Sequence, residues 1–452
     1  MESRKTWPSS HVQTAGTKLL VITISPTDAL GVYQPLEWNA DAERDQPYIK
    51  GFNVWGKRYD DGRLIARKIG VVSLGYEPTY GTNYHLYSAS SVLYSCPVSM
   101  SNGATLILGQ ECRRLSADRP FQTVYQKLVS TGEDYWTSGQ WTTKRTGGSN
   151  VQNTETWATY SPLPHKSKAS NSLDEGDYLI SGFRFFSSAT DTDVDSLLAK
   201  TSSGKLSTFL APLRSAVVGK TDRRAHLIRN SVTATAPLLN VTRTHTFIGW
   251  RAAWWRSTSI AKSFAKAWTT VGEPLWLIPM HLSLIADLEV KHLGAMNLAF
   301  FTVAVMGVVE NNGVSTPAVH LSTKGKEARV VFRALPATTT KTVVILLRSK
   351  SSTAGIQECQ EAIGGGGYCM YMDEPDEPEF NVARLLCNTY VNPIWDGTTN
   401  MLASELARFL VKGDNLAIFS CWFDRTLKLC GVLLTLDAEQ DGDGIASEIA
   451  RR

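Results

Sequence analysis

The sequence lacks most of the features that mark specialised classes of protein. Its 452 residues include only seven cysteines, and no two of them have the CxxC spacing of zinc sites. So few cysteines in so long a chain exclude a disulfide framework. Charged residues make up 19% of the chain and apolar residues 43%, which excludes a disordered protein. The formal net charge of +4 is too small to hold a protein on nucleic acid by overall charge alone.

Catalytic motifs are also missing. The sequence has no HExxH pair and no GxSxG elbow, and its eight histidines are scattered without metal-like spacing. The segment Gly219-Lys220-Thr221 ends like a phosphate-binding loop, but Arg214 stands where that pattern needs its first glycine. We therefore expect a protein that is not an enzyme.

Long apolar runs are scarce. The longest uncharged apolar stretch, 293–309, has seventeen residues and includes Gly294 and Asn297. That length is at the bottom of the range for a membrane-spanning helix. We interpret the stretch as a fully buried strand or strand pair and expect no stable membrane insertion.

Short runs of β-branched and aromatic residues, separated by polar turns, dominate the chain. They predict strands at 19–24, 72–74, 84–94, 105–108, 178–186, 246–250, 275–284, 298–309, 328–332, 341–347, 416–423 and 427–436. Helical periodicity predicts helices at 250–271, 194–200 and 401–411. The pattern favours a mainly β, sandwich or jelly-roll-like fold with a few helices. Composition shifts divide it into a β-rich domain 1–165, a β-rich domain 166–370 and a C-terminal β segment 371–452.

Basic and aromatic residues alternate between 214 and 271, where the only acidic residue is Asp222. Basic side chains neutralise phosphates and aromatic rings stack on unpaired bases, so the segment predicts contact with single-stranded RNA. The predicted contacts are Arg214, Lys220, Arg223, Arg224, Arg229, Arg243, Arg251, Trp255, Arg256, Lys262 and Lys266. The amphipathic helix near 250–271 has two other interpretations, docking on a core and lying on an anionic membrane.

Two acidic groups have the spacing of calcium ligands. Asp191, Asp193 and Asp195 place three carboxylates at alternate positions, which a loop can wrap around calcium. The C-terminal segment 437–448 matches part of an EF-hand loop, with departures at its third and eighth positions. Apart from such calcium, we expect no cofactor.

The aromatic residues allow a further alternative. Acidic and aromatic side chains near one another are typical of sugar-binding β folds, because the rings stack on pyranose faces. The residues concerned are Glu133, Asp134, Trp136, Trp141, Trp157 and Tyr160.

The whole chain, with its short strands, polar loops, abundant aromatics and internal basic segment, resembles the coat proteins of non-enveloped icosahedral RNA viruses. The resemblance implies a capsid protein that self-assembles into a closed shell around genomic RNA. Its partners would be many copies of itself, other capsid chains and the RNA. It would be located in the virion, and in the host cytoplasm during assembly, with calcium at subunit interfaces. Arg4 and Lys5 are the only arginine and lysine among the first fifteen residues, whereas many coat proteins begin with a long basic arm. The alternatives are a non-shell RNA-binding or movement-type viral protein and a carbohydrate-binding or carbohydrate-active β-fold protein.

Overall fold

The computed structural model describes most of the chain from residue 95 to residue 441. The ranges described are 95–114, 120–130, 136–143, 151–164, 176–187, 192–213, 224–229, 235–310, 325–341, 351–368, 381–392 and 394–441, with the isolated residues His85, Ser88, Ala89, Gly148 and Leu173. Within these ranges helices predominate, and the strands form one small barrel and one short hairpin.

The helices are α1 (Ser95–Arg114), α2 (Pro120–Leu128), α3 (Ala236–Ala267), α4 (Pro279–Glu310), α5 (Gly325–Lys341), α6 (Ser351–Ile363), α7 (Gly365–Tyr368), α8 (Val382–Thr389), α9 (Thr399–Leu410) and α10 (Asn415–Asp441). The strands are β1 (Ser138–Trp141), β2 (Trp157–Tyr160), β3 (Tyr178–Ser181), β4 (Val194–Thr201), β5 (Leu206–Pro212), β6 (Arg224–Arg229), β7 (Thr269–Thr270) and β8 (Glu273–Pro274).

The barrel is closed around β4. Strand β4 pairs antiparallel with β5 on one side and parallel with β1 and then β2 on the other. The ring continues from β2 through β3 and β6 back to β5. Its interior holds Phe209 and Leu197 among alanines, because a barrel this narrow has room for few large side chains. Strand β1 pairs only with β4 among the strands described, so its other edge carries backbone groups without a strand partner.

Helices α1 and α2 cover one side of the barrel. Ile107 and Leu108 of α1 and Phe121 of α2 pack in one core with Val194 and Leu210 of the strands. A hydrogen bond from the Ser138 N–H to the Ser101 Oγ (3.0 Å) joins β1 to α1. The barrel is therefore attached to the helical part of the molecule through α1.

Helix α3 is the centre of a helical bundle. It packs against α1, α4, α5 and α6. One core lies between α3, α4, α5 and α10, with Phe247 and Trp422 among its largest members. A second core lies towards the other end of α3, where Trp254 packs with side chains from α4, α6 and α8. Because α3 is covered on several sides, its buried surface is wide and polar side chains are buried along with the apolar ones.

The prediction of a mainly β fold is wrong. The runs 105–108, 246–250, 328–332 and 416–423 lie in helices α1, α3, α5 and α10, and His85, Ser88 and Ala89 within 84–94 are helical. A short apolar run has the same appearance in a buried helix as in a buried strand. Here run 105–108 packs in the core between α1, α2 and the barrel, and the other three runs pack in the core between helices. The converse error occurred at 194–200, which was predicted as a helix and is strand β4.

Some predicted elements are confirmed. The helix predicted at 401–411 is α9, and most of 250–271 lies in α3. Strand β3 begins the run predicted at 178–186. The strands predicted at 19–24 and 72–74 and most of that at 341–347 lie outside the described residues. The barrel has strands on both sides of residue 165, and the division into three domains stays a prediction.

Helix α4 contains the apolar stretch 293–309. Helix α4 is long and apolar enough to cross a membrane. However, 53% of its most apolar 18-residue segment is buried inside the protein. In the C-terminal half of α4, Ala299, Val303 and Met306 pack in the core between α3, α4, α5 and α10. The stretch is apolar because it is a core helix and not, as predicted, a buried strand.

Candidate functional site

Asp396 lies on a strained turn beside α3. Its φ is +57°, a left-handed conformation that few residues other than glycine adopt, and Gly397 follows with φ +106°. The hydroxyls of Thr242 and Thr246 lie 3.3 Å and 3.2 Å from its two carboxylate oxygens. Each hydroxyl also lies within reach of a carbonyl of α3, so its single proton has two acceptors to choose between. The two hydroxyls therefore hold the carboxylate in place.

A buried arginine fixes this turn. Arg243 is 3% exposed, and its Nε and Nη2 groups donate to the Asp396 carbonyl at 3.4 Å. The same guanidinium pairs with Glu405 of α9 at 2.9 Å. Because a buried charge requires a partner, Glu405 stabilises Arg243 in the position that supports the turn.

The barrel contributes an aromatic loop. After β3 the chain carries Phe185 and Phe186, whose ring centroids lie 4.3 Å apart. Phe186 is 73% exposed and has φ +57°. The Phe185 N–H donates to the carbonyl of Thr143, just beyond β1, at 3.3 Å. Exposed aromatic rings and a strained residue thus lie beside Thr143, two residues beyond the end of β1, an arrangement that suits an apolar ring of a ligand.

Helix α1 brings the two regions together. Its Ser101 bonds to β1, while its Cys96 lies near Asp396. Burial, and to a smaller extent the charge of Asp396, raise the pKa of the Cys96 thiol to about 12. Five residues of helix span about 7.5 Å, so the β1 edge and Asp396 flank one short segment of α1. We take the surroundings of this segment of α1 as the candidate site, with the Asp396 carboxylate on the helical side and the Phe185 and Phe186 rings on the barrel side.

Two charged side chains, Asp195 and Arg184, belong to the barrel side of this site. Asp195 of β4 is completely buried, and its Oδ1 accepts the Trp141 N–H at 3.0 Å. Burial raises the pKa of Asp195 to about 7. Arg184, between β3 and Phe185, donates from Nη1 to the Thr154 hydroxyl at 2.8 Å. Burial lowers the pKa of Arg184 to about 10.

Those residues predicted to contact RNA that the structure describes do not form one basic surface. Arg243 and Arg251 are buried in α3, and burial lowers the pKa of Arg251 to about 9. Phe247 and Trp254 lie 5.0 Å and 5.3 Å from the Arg251 guanidinium, so its charge faces aromatic rings inside the bundle. Of the three interpretations of this helix, docking on a core is the one that the structure bears out.

The other predicted contacts are engaged within the protein or lie outside its described part. Arg224 donates to the Ser161 carbonyl at 2.6 Å, Arg229 pairs with Glu111, and Lys262 pairs with Glu289 at 2.7 Å. The Lys266 ammonium lies over the Trp276 ring, the Trp255 ring lies 5.7 Å from that of His85, and Arg256 is half-buried. Arg214, Lys220 and Arg223 lie outside the described residues.

The predicted calcium sites are not assembled. Asp191 lies outside the described residues, the Asp193 carboxylate accepts the Thr137 N–H at 2.9 Å, and Asp195 is enclosed in the barrel. Because Asp191 is not among the described residues, calcium binding by Asp191, Asp193 and Asp195 stays a prediction, and the placement of Asp195 inside the barrel does not support it. At the C-terminal end, helix α10 continues to Asp441, where an EF-hand would need a loop. In the part of the chain that the structure describes, no group of three His, Cys, Asp or Glu side chains could hold a metal ion.

Sequence reasoning missed Asp396, Phe185 and Phe186. Asp396 and Gly397 are typical turn residues, and they do form a turn. The two phenylalanines were assigned to a strand. The available signal was weak, since a single carboxylate before a glycine is common, and only the tertiary structure places Thr242 and Thr246 against it.

Comparison with known proteins identifies the fold. No protein-family model matches the chain. The chain is 26% identical over 432 residues to acyl-CoA dehydrogenase family member 11 of Caenorhabditis elegans, a match covering 83% of this chain. The match spans 64% of that relative's length.

Solved structures give the same result. The apo-form of Bd2924 has a TM-score of 0.67 at 24% identity and covers 85% of this chain and 75% of its own. Caenorhabditis elegans ACDH-11 in complex with C11-CoA has a TM-score of 0.66 at 21% identity, with 95% and 80% covered. A Mycobacterium smegmatis glutaryl-CoA dehydrogenase in complex with FADH2 has a TM-score of 0.52 at 13% identity, with 85% and 98% covered.

These findings overturn the expectations drawn from the resemblance to coat proteins. The similar proteins are cellular metabolic enzymes, so the capsid function, virion location, shell assembly and RNA partner are wrong. The RNA-binding and carbohydrate alternatives find no support either. The expectations of no enzyme and no cofactor are also wrong, because a structure of this fold holds FADH2. The chain has the fold of the acyl-CoA dehydrogenases.

Proposed function

We propose that this protein is a flavin-dependent oxidoreductase that introduces a double bond beside the carbonyl of an acyl-CoA thioester, with Asp396 as the base. The observation that carries the proposal is the placement of the Asp396 carboxylate. It stands on a strained turn, is oriented by Thr242 and Thr246, and lies across a short segment of α1 from the β1 edge. The relatives of this fold that bind an acyl-CoA or a flavin support the choice of substrate and cofactor.

The barrel side of the site fits a flavin. An isoalloxazine ring needs a flat apolar surface together with backbone donors and acceptors for its polar edge. The exposed rings of Phe185 and Phe186, which are tilted by 50° to each other, would each supply an apolar face. The edge of β1 that has no strand partner among the described strands would supply the second, apart from the Ser138 and Trp141 N–H groups, which bond to Ser101 and Asp195. When bound there, the flavin supplies an acceptor for the hydride that leaves the β-carbon of the acyl group.

The residues of this chain would provide the proton chemistry. A proton on the carbon next to a thioester carbonyl is weakly acidic, and a carboxylate positioned against it acts as a general base. Asp396 accepts this proton on one carboxylate oxygen. The hydroxyl that was directed at this oxygen then turns its proton to the α3 carbonyl within its reach. Arg243 donates to the backbone carbonyl of Asp396 and so supports the turn that presents the carboxylate.

The test is a comparison of wild type with Asp396→Asn. Asparagine is nearly the same size as aspartate and tolerates a left-handed conformation, so the turn should keep its shape. We expect the purified wild-type protein to bind FAD with the visible spectrum of a protein-bound flavin, and to reduce an artificial electron acceptor with acyl-CoA thioesters. The variant should bind FAD equally well and lose activity by about 100-fold or more.

The matched control is Asp424→Asn, the same substitution at an exposed position of α10, which should change neither property. Failure of the wild-type protein to bind FAD or any acyl-CoA would refute the proposed function. Full activity in Asp396→Asn would refute the role of the base alone.

A further inference from the structure

The buried segment 241–254 of α3 is accessible along one narrow stripe. Thr246, Trp250 and Ala253 are 6%, 9% and 7% exposed, and Gly249 between them is partly exposed. Every other residue of the segment is exposed by 3% or less. Counted from Thr246, the other three residues follow at the third, fourth and seventh positions, which is the spacing of one helix face.

The stripe begins at the proposed base. The Thr246 hydroxyl lies 3.2 Å from a carboxylate oxygen of Asp396, and Ala253 lies seven residues further along α3. Seven residues of helix span about 10.5 Å. An extended chain advances roughly 3.5 Å over three bonds, so this length accommodates about nine bonds. The stripe is therefore long enough for an acyl chain that continues from the reacting carbons at Asp396.

A second helical segment borders the stripe at Gly249. A Cβ atom on Gly249 would lie 3.9 Å from both the Cβ and the Oγ of Ser88, and it would meet no other neighbouring segment within 4 Å. Ser88 and Ala89 are themselves helical and buried. The space beside Gly249 is thus enclosed between two helical segments, and it exists because this position has no side chain.

We propose that Gly249 determines which acyl chains the protein accepts, by leaving room for a straight chain that runs from Asp396 along α3 past Trp250 to Ala253. This path is called the acyl channel below. No residue of the stripe carries a charge, so the channel suits an apolar chain. The identity of the ligand rests on the proposed function, whereas the existence of the channel rests on the geometry of α3.

The test compares wild type with Gly249→Ala and Gly249→Leu on straight-chain acyl-CoA thioesters. The quantity measured is the ratio of kcat/KM for dodecanoyl-CoA to kcat/KM for butanoyl-CoA, whose chain ends one carbon beyond the β-carbon. One methylene in an apolar pocket changes kcat/KM by about 10-fold or more, so Gly249→Leu should lower this ratio by at least about 10-fold. Gly249→Ala should lower it by less. A substitution that disturbed only the fold would lower both kcat/KM values together, and an unchanged ratio in Gly249→Leu would refute the inference.

Folding of the alanine variant provides a check on the space beside Gly249. The added Cβ would meet Ser88 at an ordinary contact distance, and alanine is favoured over glycine inside a helix. The thermal unfolding midpoint of Gly249→Ala should therefore equal or exceed that of wild type, and a lower midpoint would contradict the enclosed space. Gly294→Ala, in an open position of α4, is the matched control and should leave the ratio of kcat/KM values unchanged. If it lowers the ratio as much as Gly249→Ala does, the effect does not arise in the channel and the inference fails.

Dodecanoate tests the channel without the CoA group and without turnover. Calorimetric titration should show that Gly249→Leu binds dodecanoate several-fold more weakly than wild type and that Gly294→Ala binds it equally well. Equal binding by wild type and Gly249→Leu, or no binding by wild type, would rule out the channel. Failure of wild type to oxidise any acyl-CoA would refute the proposed function instead, and the dodecanoate titration would still decide whether the channel exists.

Discussion

Replacing Asp195 by Asn should remove a pH dependence that the barrel interior imposes on the stability of the protein. Burial raises the pKa of this carboxyl from 3.8 to about 7 in the folded state. Between these two values the folded protein keeps a proton that the unfolded chain has released. Stability linked to Asp195 is therefore fully present below the unfolded pKa and is lost as the pH rises through the folded pKa.

The size of the effect follows from the width of this window. One pKa unit corresponds to about 1.4 kcal/mol, so a shift of roughly three units is worth about 4 kcal/mol between acidic and alkaline pH. Asparagine resembles the protonated carboxyl and still offers an oxygen to the Trp141 N–H. The variant should therefore be more stable than wild type at pH values above 7, and the advantage should disappear as the pH approaches 4.

The assay is the midpoint of thermal or urea-induced unfolding across this range, plotted as the difference between variant and wild type. Asp424→Asn is the control for removing one carboxylate from the surface, and its difference from wild type should stay flat. A flat difference for Asp195→Asn, or one that grows towards acid, would show that the Asp195 carboxyl does not carry the proton assigned to it.

Two further substitutions test the supports of the site and of the bundle. Arg243→Gln should leave Glu405 without its closest partner and loosen the Asp396 turn, lowering the free energy of unfolding by about 2 kcal/mol and reducing turnover more than FAD binding. An unchanged ratio of turnover to FAD affinity would separate Arg243 from the turn. Gly355→Ala should destabilise the protein by about 1–3 kcal/mol, because a Cβ there would lie 2.3 Å from the Trp254 ring between α6 and α3. Gly294→Ala, in an open position of α4, should be neutral or stabilising by about 0.5–1 kcal/mol, and equal unfolding midpoints for the two alanine variants would contradict this packing.

Local sequence pattern predicted the exposed helix well and the buried ones poorly. Helix α9 has one apolar side and was predicted within two residues of its observed ends. Helices α3 and α4 are covered on several sides, so their sequences have no single apolar stripe, and the β-branched and aromatic residues in them were assigned to strands. In α4 the length of the apolar run would have distinguished a helix from a strand, because the seventeen residues 293–309 exceed the length of an ordinary strand.

The site was unpredictable for a different reason. Arg251 and Lys262 do lie on a helix, as predicted, and Arg243 lies on the same helix outside the predicted range. A linear pattern, however, does not reveal which charges are buried with partners from distant segments. Glu405 lies 162 positions after its partner Arg243, and Asp396 lies 154 positions after Thr242, which contacts it. The surroundings of the candidate base, Asp396, depend on contacts between segments that are far apart in the sequence. Composition carries no information about such contacts.

The course of β1 and β2 along β4 has a consequence for how this barrel tolerates change. Both strands run in the same direction on the same edge, β1 beside 194–197 and β2 beside 200–201, so together they act as one strand interrupted by residues 142–156. The chain leaves that edge and returns to it without altering the pairing on either side. Insertions or deletions within the interruption should therefore leave barrel closure intact, whereas a single-residue deletion inside β4 would reverse which side chains face inwards. Within segment 142–156, Thr143 and Thr154 bond to Phe185 and Arg184, so the freedom to vary in length and sequence belongs to the positions of this interruption other than those two.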